Sequence, residues 1–479
     1  MSLFGILNST AAALRNTQTQ IGTVSDNIGN SNSTTYVSRN AVLTETDPQS
    51  GGVDTVQIER AVDTALQGEY FQQSSSSSNA SYINNIYSQL EQLDGSDSGT
   101  PSLVSAMQNF TAAFQALQAT PSSTTAQAQV ISAGQGLAET VQNIANGVQS
   151  MITATQQQTQ TDVSTLNSTL ASIATLNTQI VQAQGAGQST AALQDSLDAA
   201  IQTVSTLVPV QATFANNGTV QLTTPQGVSL VGVDASNFTY DAATDTIYAT
   251  SDPNQTSLNG SFNSGQIGAE ISALDTSAAG VASTTPGVAV FQKTLNQLNT
   301  FVDQFYAAGA TPTAFQAAYN NATPTNTGEQ ATDFFTIPNY GATPSTDAFD
   351  FEVNPALVNG TATVKEASAT AVVNQLIATT NSFSAGGVSV TNESYTQIAS
   401  AMASNQTQLA QQAQANQTSA SATLSTTQTA YQNATGVNVN SQLSQLIILQ
   451  NTYGASAKVI SVVQQLFTTL EGAVGATTG

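Results

Sequence analysis

Apolar residues return every seven positions at both ends of the chain. Leu7, Leu14, Ile21 and Ile28 form one line near the start. Leu3, Thr10, Thr17 and Val24 form a companion line that is half polar. Toward the other end Val439, Leu446, Tyr453, Ile460, Phe467 and Val474 repeat the spacing, with Leu449, Ser456, Val463 and Leu470 beside them. Lines of this kind form the seam between paired helices. The two ends are therefore expected to pair, with the rest of the chain an excursion between them. An amphipathic helix lying on its own domain has the same short pattern, and so few heptads do not separate the two readings.

Residues 40 to 70 read as extended and irregular, with a turn at Gly51-Gly52 and loose alternation of Val53, Val56 and Ile58. The Ser74 to Ser78 run reads as a solvated helix face or a flexible joint. From about Ala80 to Gly185 the helical period dominates. Leu103, Phe110, Phe114 and Leu117 share a face that Pro121 ends. Leu137, Val141, Ile144, Val148 and Met151, then Val163, Leu166, Leu170, Ile173 and Ile180, predict one helix of about 50 residues. Gly185 and Gly187 stop it, and a second helix follows over Ala191 to Leu207.

The period then changes to two. Val208 to Phe214, Thr219 to Leu222 and Val228 to Val231 read as strands, with Asn217-Gly218 a hairpin turn. Phe238, Tyr240, Ile247 and Tyr248 are expected to extend that sheet around a loop at Asp241 to Asp245. Residues 250 to 360 read as long loops with one helix around Phe291 to Phe305. Helical composition returns after about Ala362 and runs to the end. The stretch holding Ile398, Leu409 and Leu424 is polar nearly all round, and such a helix needs partners.

The fold class expected is mainly α with a β-containing middle domain: paired terminal helices as a coiled-coil layer, a long-helix bundle and an outer β domain. The domains are drawn at 1–35 with 437–479 (terminal polymerisation), 36–207 with 362–436 (helical bundle) and 208–361 (β-rich).

Composition narrows the chemistry. The 479 residues include no Cys, His or Trp. Thiolate or imidazole catalysis and Cys-ligated metal sites are therefore excluded. Six basic residues against 29 acidic ones give a net charge of -23. That balance leaves no footprint for nucleic acid and argues against anionic lipid. No run is expected to reach the ~20 apolar residues that span a bilayer, and Met1 to Leu7 does not read as a signal peptide.

Asp195 with Asp198, and Asp347 with Asp350 and Glu352, are the best carboxylate clusters. A retaining glycosidase needs two carboxyls about 5 Å apart, which linear spacing cannot show. The 333 to 352 region could hold calcium but lacks the spacing of an EF-hand. The chain is read as non-enzymatic, with no cofactor. Asn27 to Asn32 reads as a helix stop whose polar groups could also bond neighbouring subunits. Arg15, Arg39, Arg60 and Lys458 are expected to pair with carboxylates of adjacent copies or to stay solvated.

Local motifs then add a resemblance. Ser25-Asp26-Asn27-Ile28-Gly29-Asn30-Ser31-Asn32-Ser33-Thr34 is similar to the Asn-Ile-Ala-Asn-Ala-Asn-Thr motif of flagellar rod, hook and hook-associated proteins. Tyr36, Ser38 and Arg39 resemble the Gly-Tyr-Ser-Arg-Gln continuation of the FlgK family of hook-associated proteins, where hook and rod proteins carry Lys soon after the Tyr. Gly52-Val53, Ile58, Arg60, Asp63 and Leu66, then Leu193, Asp195 and Asp198, and Gly218 through Val231, resemble further stretches of that family. So do Gly436-Val437-Asn438-Val439, Leu446, Gln450, Tyr453, Ala455, Ala457-Lys458-Val459-Ile460 and Leu470. Thr35 and Gly29 depart from it, and Asn440, Ser441 and Gln442 stand where the family has an acidic run.

The resemblance implies a structural component of the bacterial flagellum that joins hook to filament. It implies secretion through type III export without a cleaved signal peptide. It also implies self-assembly into a ring or tube layer, contact with the hook protein and the next junction protein, and a chaperone at the C-terminal helix. No nucleic acid and no membrane partner is expected. The assembly interface it points to comprises Leu7, Leu14, Ile21, Ile28, Asn27, Asn30, Tyr36, Arg39, Leu446, Gln450, Tyr453, Ile460, Phe467 and Leu470. The hook protein itself, and an extracellular surface-layer or adhesin protein, are the alternatives.

Overall fold

The structure, a computed structural model, describes residues 3–33, 36–47, 52–95, 102–276, 289–306, 313–321, 332–341 and 345–475. In chain order, α1 (Leu3–Gly29) is followed by the strands β1 (Arg39–Asp47) and β2 (Gly52–Arg60) and by α2 (Thr64–Leu93). Then come α3 (Leu103–Ala119), α4 (Thr124–Gly185) and α5 (Ala191–Leu207). Five short strands follow: β3 (Gln211–Phe214), β4 (Val220–Thr223), β5 (Ser229–Val231), β6 (Phe238–Asp241) and β7 (Thr246–Ala249). After them lie α6 (Gly265–Leu274), α7 (Val290–Val302), α8 (Ala314–Asn320), β8 (Phe335–Thr336), α9 (Asp347–Asp350), β9 (Glu352–Val353), α10 (Pro355–Val358) and α11 (Ala369–Ile377). The hairpin β10 (Asn381–Ala385) and β11 (Val388–Glu393) precedes α12 (Tyr395–Thr435) and α13 (Val439–Gly475). The architecture is mainly α with small antiparallel sheets in the middle.

Two compact units divide the chain. The first comprises Met1–Ser75, Leu166–Asn237 and Ser421–Gly479, and the second Ser76–Thr165 and Phe238–Ala420.

In the first unit α1 packs on α13 and on the β1–β2 hairpin, and α5 packs on β2. The three-stranded sheet runs β3-β4-β5, antiparallel throughout. Its first turn places Gly218 at φ 73°, a left-handed conformation that favours glycine. Val220 and Leu222 point inward from β4.

The second unit has an aromatic core. Phe110 and Phe114 of α3, Phe305, Phe315, Phe334 and Phe335 form one cluster with neighbouring rings 4.9–6.5 Å apart. Edge-on geometry dominates, as ring quadrupoles favour. Ser102 caps α3, its Oγ accepting from the Ser105 amide. The β10–β11 hairpin turns at Gly386 and Gly387, both at positive φ, and packs on α7.

Ser and Thr, weak helix formers, are accommodated along the long helices by donating to the carbonyl four residues back. Thr159, Thr165, Ser172 and Thr178 do so in α4, and Thr418, Thr426 and Thr429 in α12.

Several expectations need correction. Helix α4 is longer than expected, at 62 residues, because its helical spacing begins at Thr124. Strands β6 and β7 pair with each other in a separate sheet and do not extend β3-β4-β5. Among the described residues of 250 to 360, α6, α8, α9 and α10 are helices beyond the expected α7, and Ile267, Ile271 and Leu274 of α6 are buried. The helical reading after Ala362 misses β10–β11, whose Gly-Gly turn and alternating Phe383, Val388 and Val390 carry a period of two.

In the 40 to 70 region β1 and β2 pair antiparallel, with register shifts between Thr44 and Asp47, and α2 starts at Thr64. The serine run lies within α2 with Ser74, Ser75 and Ser77 buried and Ser76 exposed, so it is not a solvated face, and the division between the two units falls at Ser75. Against the expectation from hydropathy, the helical stretch Tyr395–Ala473 contains a window of mean hydropathy 1.2, enough by length and composition to cross a membrane. Thr34, Thr35 and Gly51 lie outside the described residues, as do the side chains of Val53, Val56 and Val474.

Candidate functional site

The shielded positions of α13 through Phe467 are Gln442, Leu446, Leu449, Ser456, Ile460, Val463 and Phe467, in steps of four, three and seven. Tyr453 falls on the same line at the edge of exposure. Opposite them, α1 shields Leu3, Leu7, Thr10, Leu14, Thr17, Ile21, Val24 and Ile28. The two heptad lines therefore face each other in the first unit, and Phe4 meets Phe467 edge-on at 5.3 Å. The polar seam members satisfy themselves within their own helix. Thr10 Oγ1 donates to the Ile6 carbonyl at 2.7 Å and Thr17 Oγ1 to that of Ala13 at 2.8 Å. A threonine in the seam thus costs little beyond lost apolar contact.

Asn27 is the polar centre of this region and is 0% exposed. Its Nδ2 donates to the Arg39 carbonyl at 2.8 Å and to Gln442 Oε1 at 3.1 Å. Its Oδ1 accepts from the Tyr36 hydroxyl at 2.8 Å and from the Arg39 amide at 3.0 Å. Both amide hydrogens and both lone pairs are used, the condition under which a buried amide is tolerated. One side chain so ties together α1, the start of β1 and the start of α13. Asn30, one turn on, is exposed and bonds the Asp26 carbonyl.

An ion network lies in the same unit. Arg39 Nη2 donates to Asp195 Oδ2 at 2.6 Å, Arg60 Nε lies 2.9 Å from Asp195 Oδ1, and Arg60 Nη2 donates to Asp198 Oδ2. Asp195 and Asp198, three apart on α5, present their carboxylates to adjacent ends of β1 and β2. Burial raises the Asp198 carboxyl above its ordinary range, against the opposing pull of Arg60. Arg39 Cζ also lies 4.7 Å from the centre of the Tyr36 ring, a cation–π contact that joins network to hub. Burial raises the Tyr36 hydroxyl above its usual range, while Arg39 pulls the other way.

Arg39 and Arg60 therefore pair with Asp195 and Asp198 of their own chain, so neither is simply solvated. The physical reason is proximity: the hairpin sets Arg39 directly opposite Arg60, and two close guanidiniums need local anions. Arg15 and Lys458 are exposed. Beside the hub a cleft of about 590 Å³ is bordered by Tyr36, Gln67, Asp198 and the stacked pair Tyr70 and Tyr431, whose rings lie 5.7 Å apart.

Among the expected site residues, the structure brings Asn27, Tyr36 and Arg39 into one cluster and Leu7, Leu14, Ile21, Ile28, Leu446, Ile460 and Phe467 onto the facing seams. Gln450 and Leu470 are exposed on α13. Gln442 is the functional partner that sequence reading passed over. It stood out only as a departure from an acidic run, and its buried bond to Asn27 was not legible from spacing.

Asp347, Asp350 and Asp333 are held by local hydrogen bonds. Asp347 accepts from the Gly341 amide and the Ser345 hydroxyl, Asp350 from Asn339, and Asp333 from Gln316 and Asn320. No cluster of three metal-ligating side chains occurs among the described residues.

Packed chain ends with heptad seams, a helical body and small sheets in the middle define a helical structural protein built around its own termini. Residues 76–323, just over half the chain, match the family described as flagellar hook-associated protein FlgK helical domain. Residues 422–472 match the flagellar basal body rod FlgEFG protein C-terminal family. The chain is 26% identical over 242 residues to flagellar hook-associated protein 1 of Bacillus subtilis (strain 168), a match covering 47% of each. It thus spans about half the length of that relative. The solved structure of the flagellar hook junction protein FlgK from Burkholderia pseudomallei is similar at a TM-score of 0.45 and 20% identity, over 56% of this chain and 46% of that one. The chain belongs to the flagellar hook-associated FlgK family.

Proposed function

We propose that this protein joins the flagellar hook to the filament, and that the paired terminal helices are its assembly interface. The observation that carries the reading is the second apolar face of α13. Leu443, Ile447, Ile448, Val459, Val462 and Leu466 are exposed although the seam on the other side is already packed on α1. Ile448 is 64% exposed and Leu466 51%. Exposed apolar side chains gathered on one side of a helix mark an interaction surface. Neighbouring copies in a ring or tube would cover it, and Asn30, Gln450, Leu470, Arg15 and Lys458 would lie in the contacts between them.

In this reading residues 1–35 with 437–479 polymerise, 36–207 with 362–436 form the helical body and 208–361 face outward. The hook protein and the next junction protein are the neighbours. Export follows the flagellar type III route, with a chaperone on the C-terminal helix before assembly.

Family membership and the name of the Bacillus relative support the junction over the hook protein or a surface-layer adhesin. Electron microscopy of cells lacking the gene tests it directly, with the medium assayed for flagellin. Hooks without filaments, and flagellin lost to the medium, are expected. Missing hooks would move the protein to the hook or rod, and normal flagella would reject the reading.

A further inference from the structure

A carboxyl group is buried in the second unit with no cation beside it. Glu270, in α6, is 0% exposed. The carboxyl of Asp162, from α4, faces it within hydrogen-bonding reach. Gln266, one turn earlier on α6, reaches both with one amide nitrogen: Nε2 donates to Asp162 Oδ2 at 2.7 Å and to Glu270 Oε1 at 3.2 Å. Gln158 adds a donor to Asp162 Oδ1 at 3.0 Å. The Thr159 hydroxyl also lies against Glu270 but gives its proton to the Thr155 carbonyl. Glu270 Oε2 is left without a donor among the described residues. Two acceptor groups face each other across α4 and α6, and a shared proton satisfies both.

We propose that Glu270 keeps its proton at neutral pH, donates it to Asp162, and so forms an acid-held latch between α6 and α4 that loosens as the medium turns alkaline. The titratable groups that reach Glu270 are Asp162 from α4, Tyr82 from α2 and Tyr240 from β6. Helix α7, which also packs on α6, carries Lys293, and the carboxylate acting on that lysine is Asp275. Burial, then the hydrogen bond and charge of Asp162, push the Glu270 carboxyl up to about 9. In the unfolded chain it titrates near the ordinary value of about 4.3. Between those values the folded state holds a proton that the unfolded chain has released, so stability falls as pH rises through the window.

The test is urea unfolding of the full chain between pH 7 and 9, followed by near-ultraviolet circular dichroism. Burial pushes the Asp94 and Asp303 carboxyls up to about 6, so both have finished titrating below this window. The unfolding constant of the wild type is expected to rise toward tenfold per pH unit up to about pH 9. Glu270→Gln keeps the shape and a donor without the titration. It is expected to unfold later than wild type at pH 8 and to lose most of the slope. A slope kept in Glu270→Gln, or a variant weaker than wild type at pH 8, would overturn the latch. Carbon-13 titration of the wild-type carboxyls gives a second reading that needs no variant. One glutamate with a midpoint above 7 is expected, and none above 6 would reject the assignment.

Discussion

The aromatic core of the second unit and the C-terminal helix of the first use apolar residues in opposite ways. Phe110, Phe114, Phe301, Phe305, Phe315, Phe334, Phe335 and Phe351 are all buried, in a chain with only 17 phenylalanines. They come from separate parts of the sequence and converge on one cluster. Helix α13 instead packs one seven-residue line of apolar side chains against α1 and leaves other aliphatic residues, among them Ile447, Ile448, Val462 and Leu466, in solvent. A core closed by rings from many elements is complete within one chain. A helix with two apolar faces and one partner is complete only when something else arrives. The difference separates residues that fold the protein from residues that assemble it.

The largest effect is expected in the closed core. Phe305 lies 4.9–6.4 Å from six rings, those of Phe110, Phe301, Phe315, Phe335, Phe351 and Tyr395. Phe305→Ala removes their shared neighbour and should cost about 3–5 kcal/mol in urea unfolding of the second unit. A loss below about 1 kcal/mol would mean that the core re-collapses, and that it is less specified than the ring geometry implies.

The ion network comes next. Arg60→Met strands Asp198 in a partly buried site, beside an Asp195 that keeps Arg39, and breaking one partner there costs about 2–3 kcal/mol after allowance for solvent. Arg60→Met with Asp198→Leu should recover most of that, because the uncompensated charge is gone. A double variant no better than the single one would show that Arg60 acts by packing its stem, not by its charge.

Asn27→Ala should cost about 1–3 kcal/mol, since it orphans the buried Gln442 amide oxygen and the Arg39 backbone groups. Hydrogen exchange resolves where: protection should fall at the starts of β1 and α13 and stay unchanged in α3. Uniform loss across both regions would contradict a local hub.

How much of this was legible beforehand follows from range. The heptads at both ends, the face of Leu103, Phe110, Phe114 and Leu117, the limits of α5 and the Asn217-Gly218 turn are local periodicities, and the structure carries them. The convergence of Phe315, Phe334 and Phe335 on Phe110 is not local. Those rings sit in a Gly-, Pro- and Asn-rich stretch that reads as loop, on or beside elements too short to show a period. The same limit hid the partners of Arg39 and Arg60. Their scarcity drew attention, but an i, i+3 aspartate pair on α5 points at nothing until the hairpin is placed against it. Gln442 was hidden for the further reason that a neutral amide leaves no charge pattern.

The smallest effect on the monomer is expected where the effect on assembly is greatest. Changing Ile447, Val462, Leu466 and Leu470 together to Gln replaces exposed apolar surface with polar surface, and each site should stay within about 0.5 kcal/mol of neutral in the isolated chain. The paired control changes Leu449 and Val463, the two most buried seam residues of α13, to Gln. That control should loosen α1 from α13 and expose both ends to protease in the monomer. If the exposed face is an assembly surface, the first variant keeps the protease pattern of wild type yet fails to restore filaments in cells lacking the gene. Filaments that grow normally on it would reduce the second apolar line to surface composition and leave the seam with α1 as the whole purpose of the terminal heptads. A first variant that becomes protease-sensitive would place those residues in the fold instead, and the contrast between the two regions would have to be drawn elsewhere.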